Sequence, residues 1–327
     1  IRVPLPAAMM TTSRKRFDMR FPVNFEWLKR NKARHGRRFR SRIIGVLGLL
    51  AMAGVLQACS VMKLAYNQAP DLAYWYLDDY LDLTGEQSLR VKASLSQLQA
   101  WHRQTQLPVY ITALQQLQQQ LPSDTTAAAA CKVATDVRNN LGAVAHRAES
   151  LAAGVAVMLQ PGQLKHLEKK FAKTNAKAED EMEENREKTR QSKRYEQMLS
   201  RAESLYGTLD EPQRAVIARR LEQSRFDVRV LFAEKKRRQH DALQTLQPLA
   251  NGQSSAAQAQ TALRGLVERT MNPLEPVYRR YLDQLSQENC QSFAELHNST
   301  TPAQRSKAVE TLKGYEQDFR ILNESKS

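Results

Sequence analysis

Apolar side chains recur along most of the chain at steps of three and four, the period of one face of an α-helix. Val91, Leu95, Leu98, Trp101 and Thr105 follow this rule, as do Val137, Leu141, Val144, Ala148, Leu151, Val155 and Met158, a nearly unbroken heptad seam. Shorter stripes occur at Ile111, Leu114, Leu117 and Leu121, at Val216, Leu221, Val228 and Leu231, and at Leu274, Val277, Tyr281, Leu285 and Phe293. Each stripe predicts a buried helix face. No window alternates apolar and polar residues with β-branched enrichment, so strands are not expected. The expected fold is all-α, an elongated multi-helix bundle with one long charged helix.

The punctuation agrees. Pro70, Pro108, Pro122, Pro161, Pro212, Pro248, Pro273, Pro276 and Pro302 stand where helical patterns start or stop. Four sites share a start signal: Leu83 to Gln87, Leu159 to Gln163, Leu209 to Gln213, and Thr300 to Gln304. Thr84, Asp210 and Thr301 can each accept a bond from an orphaned amide, while the Gln three places on returns one to the cap residue. Residues 172–194 differ from the rest, with thirteen charged positions in 23 and Met182 as the one apolar side chain larger than Ala. The lack of Gly and Pro favours a solvated helix continuing from Gln163 toward Leu205. Either a protruding arm or a linker between two helical lobes fits it.

Charge changes the picture at the N-terminus. Of a net +15, residues 1–58 carry +11, from thirteen Lys and Arg against Asp18 and Glu26, leaving +4 for the remainder. Residues 37–42 are basic, residues 43–55 are an apolar run, and Leu56-Gln57-Ala58-Cys59 follows. This order is that of an export signal ending in a bacterial lipobox. It predicts cleavage before Cys59 and acylation of its thiol, a leader at 1–58 and a helical periplasmic domain at 59–327. Met9, Met10 and Met19 are candidate starts. Several acyl chains, at about 0.8 kcal/mol per buried methylene, hold a protein at a bilayer without a spanning helix. An uncleaved signal-anchor is the alternative, because Ile43 to Met62 is free of charge and near the length of a span. Ser60 rather than Asp after the cysteine points to the outer membrane. With most of the basic excess in the leader, nucleic-acid binding loses its support.

Signals for bond chemistry are missing. Five histidines follow the leader, His102, His146, His166, His240 and His297, and none has a second His at i+3 or i+4. The eight glycines after residue 58 are scattered, so neither a phosphate loop nor a Gly-x-Ser-x-Gly elbow is present. No cofactor, metal or catalytic residue is expected. Cys131 and Cys290 are the thiols left once Cys59 is acylated, and either a disulfide or two separate thiols is compatible with their spacing. Arg214, Arg219, Arg220, Arg225, Arg229 and Lys235 to Arg238 concentrate positive charge after Pro212, which makes either a solvated face or a surface for anionic groups.

Tyr66-Asn67-Gln68-Ala69-Pro70, Trp75-Tyr76-Leu77-Asp78, Trp101-His102-Arg103 and Leu107-Pro108 lie in order after Cys59-Ser60. Together they resemble a proteobacterial lipoprotein family known only as a domain of unknown function. That resemblance implies an envelope address and supplies no catalytic residue. The Leu-Thr-x-x-Gln start at Leu83 to Gln87 also resembles the repeated signature of Spy and CpxP-type periplasmic stress proteins. Tyr74, Trp75, Tyr76 and Tyr80 form an aromatic patch suited to a core or to a headgroup interface, and the nearby Asp78, Asp79 and Asp82 favour the core.

The expectation is a non-enzymatic lipoprotein, held to the membrane at the periplasmic face of the outer membrane through Cys59. It would present surfaces to another envelope protein or to peptidoglycan, not to nucleic acid. Trp75, Tyr76, Trp101, His102 and Arg103 form the candidate surface. A tethered holdase of the Spy and CpxP type is the alternative.

Overall fold

A computed structural model describes residues 62–184 and 187–325. The basic run, the apolar run and Cys59 lie outside them. Among the described residues from 69 onward, eleven α-helices follow one another: α1 (Ala69–Leu81), α2 (Gly85–Trp101), α3 (Leu107–Gln120), α4 (Ala127–Ala156), α5 (Pro161–Glu184), α6 (Glu187–Tyr206), α7 (Glu211–Glu222), α8 (Val228–Leu246), α9 (Ala256–Met271), α10 (Pro276–Asn298) and α11 (Pro302–Glu324). Residues 62–67 are also helical, and no strand occurs among the described residues.

Local chemistry sets the helix starts. Thr84, Asp210 and Thr301 each accept a bond from the amide of the Gln three places on, and that Gln bonds back to the cap residue's own N–H. Ser255 and Gln258 form a further box that opens α9. Between α2 and α3 the helix widens into a π-turn at His102–Gln106. Pro108 explains the interruption, since its ring would clash with the carbonyl four residues back in a regular helix.

Two apolar cores stand out, beside the buried Val91, Leu107, Ile111 and Leu322 of α2, α3 and α11. Ala153, Ala156, Leu249, Ala259 and Leu263 pack where the end of α4 meets α9, and Leu159, Leu164 and Ala250 continue this core toward Leu81 and Leu246. A second core joins Leu121, Tyr206, Leu209, Ile217, Leu296 and Ala308, from the ends of α3, α6 and α10 with α7 and α11. The charged stretch 172–194 leads from the first to the second. Its α5 part lies along α8, with Asn175 Nδ2 donating to Gln239 Oε1 at 2.7 Å and Lys236 Nζ 3.0 Å from Glu179.

One glutamine pair lies beside each core. Gln87 and Gln163 donate to each other's Oε1 at 3.0 and 2.7 Å. Gln87 also donates to Met158 O at 2.6 Å, and Gln163 to the carbonyls of Leu81 and Asp82, each at 2.9 Å. Gln213 and Gln304 repeat the arrangement at 2.7 and 2.8 Å, with further bonds to Ser299 O and Thr208 O. The carbonyl reached in each case includes the one five residues ahead of the partner glutamine. The repeated start signal therefore does two things at once: it caps its own helix, and it closes the end of the element before its partner. Stability accounts for these four glutamines.

Cys131 on α4 and Cys290 on α10 are joined as a disulfide, with Cα atoms 5.3 Å apart across 159 residues of sequence. In the chain-entropy model a loop of that length contributes about 5 kcal/mol.

Several stripes turn out differently from their periodicity. Val137 and Leu141 of the heptad seam are exposed, as are Leu274, Val277 and Phe293. On α10 the buried positions are Leu282, Cys290, Ala294, Leu296 and His297, a register set by the disulfide and by the Tyr206 contact of His297 rather than by the Val277 to Phe293 stripe.

Candidate functional site

The segment nearest the candidate anchor is tied to the π-turn. Helix α2 carries Gln99 to where its Nε2 donates to Tyr66 O at 2.6 Å, and the widened turn then directs both His102 and Arg103 toward residues 66 and 67. Tyr66 Oη lies 3.0 Å from His102 Nδ1. Arg103 donates from Nη2 to Asn67 Oδ1 at 3.0 Å and from Nη1 to Ser325 O at 2.9 Å, and its guanidinium stands 5.6 Å from the Tyr66 ring centre. Tyr110 of α3 meets the His102 ring edge-on at 5.4 Å and is followed by Phe319 at 6.1 Å. One arginine thus joins the start of the described chain, the α2–α3 junction and the end of α11.

Burial governs the electrostatics of this node. It pushes the Tyr66 phenol up, with the Arg103 charge acting in the opposite direction, and it pushes the His102 imidazole down. A neutral imidazole beside a protonated phenol is suited to fastening. Arg103 itself is buried at 8% exposure, so it is a structural tie and not the surface residue its sequence position suggests. Trp101 and His102 are half-buried. Arg147 stands 5.8 Å from the Trp101 ring centre.

Trp75 and Tyr76 do reach the surface, at 61% and 49% exposure. This corrects the expectation that the aromatic patch packs inward. Tyr74 and Tyr80 take that role: Tyr74 donates to Ser88 Oγ at 3.2 Å with Lys92 4.3 Å above its ring, and Tyr80 meets Phe171 of α5 at 5.9 Å. The Asp78 carboxylate accepts the Leu83 N–H at 3.2 Å, and Asp79 pairs with Lys170. Burial, aided by contact with Tyr80, pushes the Tyr76 phenol up to about 12.

Most of the basic run is internally paired. Arg214 pairs with Glu203, Arg219 and Arg220 with Glu295, Arg225 with Glu288, Arg237 and Arg238 with Glu234, and Lys236 with Glu179. Acidic residues from α5, α6, α8 and α10 thus neutralise much of the basic run. His166 Nε2 lies 3.1 Å from Asp79 O, on a different element pair from His102. Among the described residues no group of three or more His, Cys, Asp or Glu side chains could hold a metal ion, and no helix is long and apolar enough to cross a membrane. Sequence reasoning missed the link from residues 66 and 67 to Arg103 and Ser325. The nearness in the chain of Tyr-Asn and Trp-His-Arg was its one available signal.

Fold and node together define a class: an all-α protein of capping-box helices, with paired glutamines at two helix junctions and its first described turn bound to its last. The chain belongs to DUF6279, a family of unknown function whose model matches residues 79–279, more than half of the 327. The match includes Trp101 to Arg103 and begins beyond Tyr66 and Asn67. No curated protein and no solved structure matches the chain.

Proposed function

We propose that the protein is a lipoprotein anchored through Cys59 at the periplasmic face of the outer membrane, and that it acts without bond chemistry by presenting surfaces to another envelope component. One observation carries this reading: the first described turn, at residues 62–67, is fastened to the bundle by the Asn67–Arg103 and Tyr66–His102 contacts. A tether at Cys59, three residues before that turn, would keep the helical body close to the bilayer. The disulfide between α4 and α10 suits an oxidising compartment.

Labelled palmitate supplied to cells tests the anchor. Incorporation into the wild-type chain and none into Cys59→Ala is expected, together with loss of outer-membrane fractionation in the variant. Equal labelling of both, or an unmodified cytosolic chain, would overturn the proposal. Photocrosslinkers at Trp75 and Tyr76 then identify the partner, and suppression of client aggregation by the purified protein would shift the reading to a holdase.

A further inference from the structure

Residues 62–67 and α1 share an outward face. Leu64, Gln68, Asp71 and Trp75 follow at steps of four, three and four, which keeps them on one side of a helix, and all four are exposed. The remaining sides of α1 are occupied by α2 through Tyr74 and by α5 through Tyr80 and Asp79. Leu64, at 62% exposure, and Trp75 are large apolar groups left outside, with Tyr76 beside them.

Scattered exposed apolar side chains are ordinary, but the position of this face in the chain says what covers it. Leu64 is five residues beyond Cys59 and two beyond the charge-free run Ile43 to Met62. Whether an acylated cysteine or that run holds the chain, the bilayer lies within about 18 Å of Leu64, the reach of five extended residues. The segment that carries the face cannot turn away freely, because its Tyr66 and Asn67 are bound to His102 and Arg103. Its chemistry suits a headgroup layer: a Trp and a Tyr, ring systems at home where apolar and wet regions meet, an aliphatic residue at the anchor end, and between them Gln68 and Asp71, exposed polar groups that stay hydrated among headgroups.

We propose that the face from Leu64 to Trp75, with Tyr76 at its margin, lies against the lipid headgroups of the bilayer that holds the chain. The identity of that bilayer rests on the anchoring proposed above; the contact itself does not require acylation.

The full chain in vesicles of phosphatidylethanolamine and phosphatidylglycerol with brominated acyl chains provides the test. Tryptophan quenching is compared between wild type and Trp75→Phe, a change at an exposed site that leaves the core untouched, both carrying Trp27→Phe so that position 27 adds no signal. The wild type is expected to lose most of the emission that Trp75 contributes, and Trp75→Phe to lose little. Adding Leu274→Trp to Trp75→Phe gives a control. Leu274 follows residues bound to Arg138 of α4, whereas Gly154, about 24 Å further along that helix, lies against Arg90 of α2. Its emission should persist. Equal quenching of wild type and Trp75→Phe, or quenching at position 274 as strong as at 75, would overturn the contact.

Mass spectrometry of the same preparation separates the two proposals. An acylated chain with unquenched Trp75 sinks the contact and leaves the anchor. An unacylated chain with quenched Trp75 does the reverse. A chain that does not bind vesicles sinks both.

Discussion

Gln87 and Gln163, 76 residues apart, exchange side-chain hydrogen bonds while each also binds a carbonyl in the turn before the other's helix. Every donor and acceptor on the two amides is used, and Gln87 is 2% exposed. Removing one amide strands its partner and a helix-end carbonyl, a desolvation cost of about 1–3 kcal/mol. Gln87→Ala is therefore expected to lower the unfolding free energy by about 2 kcal/mol, and the Gln87→Ala, Gln163→Ala pair by less than the sum of the single losses. Urea titrations followed by circular dichroism measure both. Strict additivity would show that the two amides do not act as a unit.

The second core contains a pH-sensitive tie. His297 donates from Nε2 to Ser123 O at 2.9 Å, so its Nδ1 accepts from Tyr206 Oη at 2.8 Å. Burial is the main cause holding this imidazole below its ordinary value; the Ser123 bond acts the other way, and Arg305 adds to the lowering. The folded state then binds fewer protons than the unfolded chain below about pH 6.5, and stability falls as pH drops through that value. His102 acts in the same direction. Glu234 and Asp241, held low by arginines against their own burial, lose their contribution only at more acid pH. The urea midpoint is expected to fall between pH 7 and pH 5, and less so in His297→Gln.

Replacing Arg103 should loosen both ends of the described fold without melting the bundle. Asn67 and Ser325 are exposed, so water can take over their bonds. Arg103→Leu is expected to speed amide exchange at residues 62–68 while changing global stability by no more than about 1–2 kcal/mol. Arg103→Lys should not restore protection, because an ammonium cannot span two acceptors as the planar fork does. Hydrogen exchange read by mass spectrometry decides this, and unchanged exchange in Arg103→Leu would count against the tie.

Reducing the Cys131–Cys290 bond releases a loop of 159 residues. Cys131→Ser is expected to cost up to about 5 kcal/mol, and thermal melts with and without reductant should differ for the wild type but coincide for the variant.

What the sequence determined by itself was local. Helix starts at Thr84, Asp210 and Thr301 follow from a cap residue and a Gln three places on, an interaction closed within one turn, and the helical period needs only neighbours along the chain. The choice of which face is buried needed the rest of the molecule. Val137, Leu141, Leu274 and Val277 carry the right spacing for burial, yet they stay exposed. Trp75 stays outside because Tyr74 and Tyr80 occupy the two neighbouring elements. Gln87 met Gln163, Cys131 met Cys290, and Arg103 met both Asn67 and Ser325 only once distant helices had packed, because a side chain's local pattern states what it can bond to and not which partner the fold will bring within 3 Å.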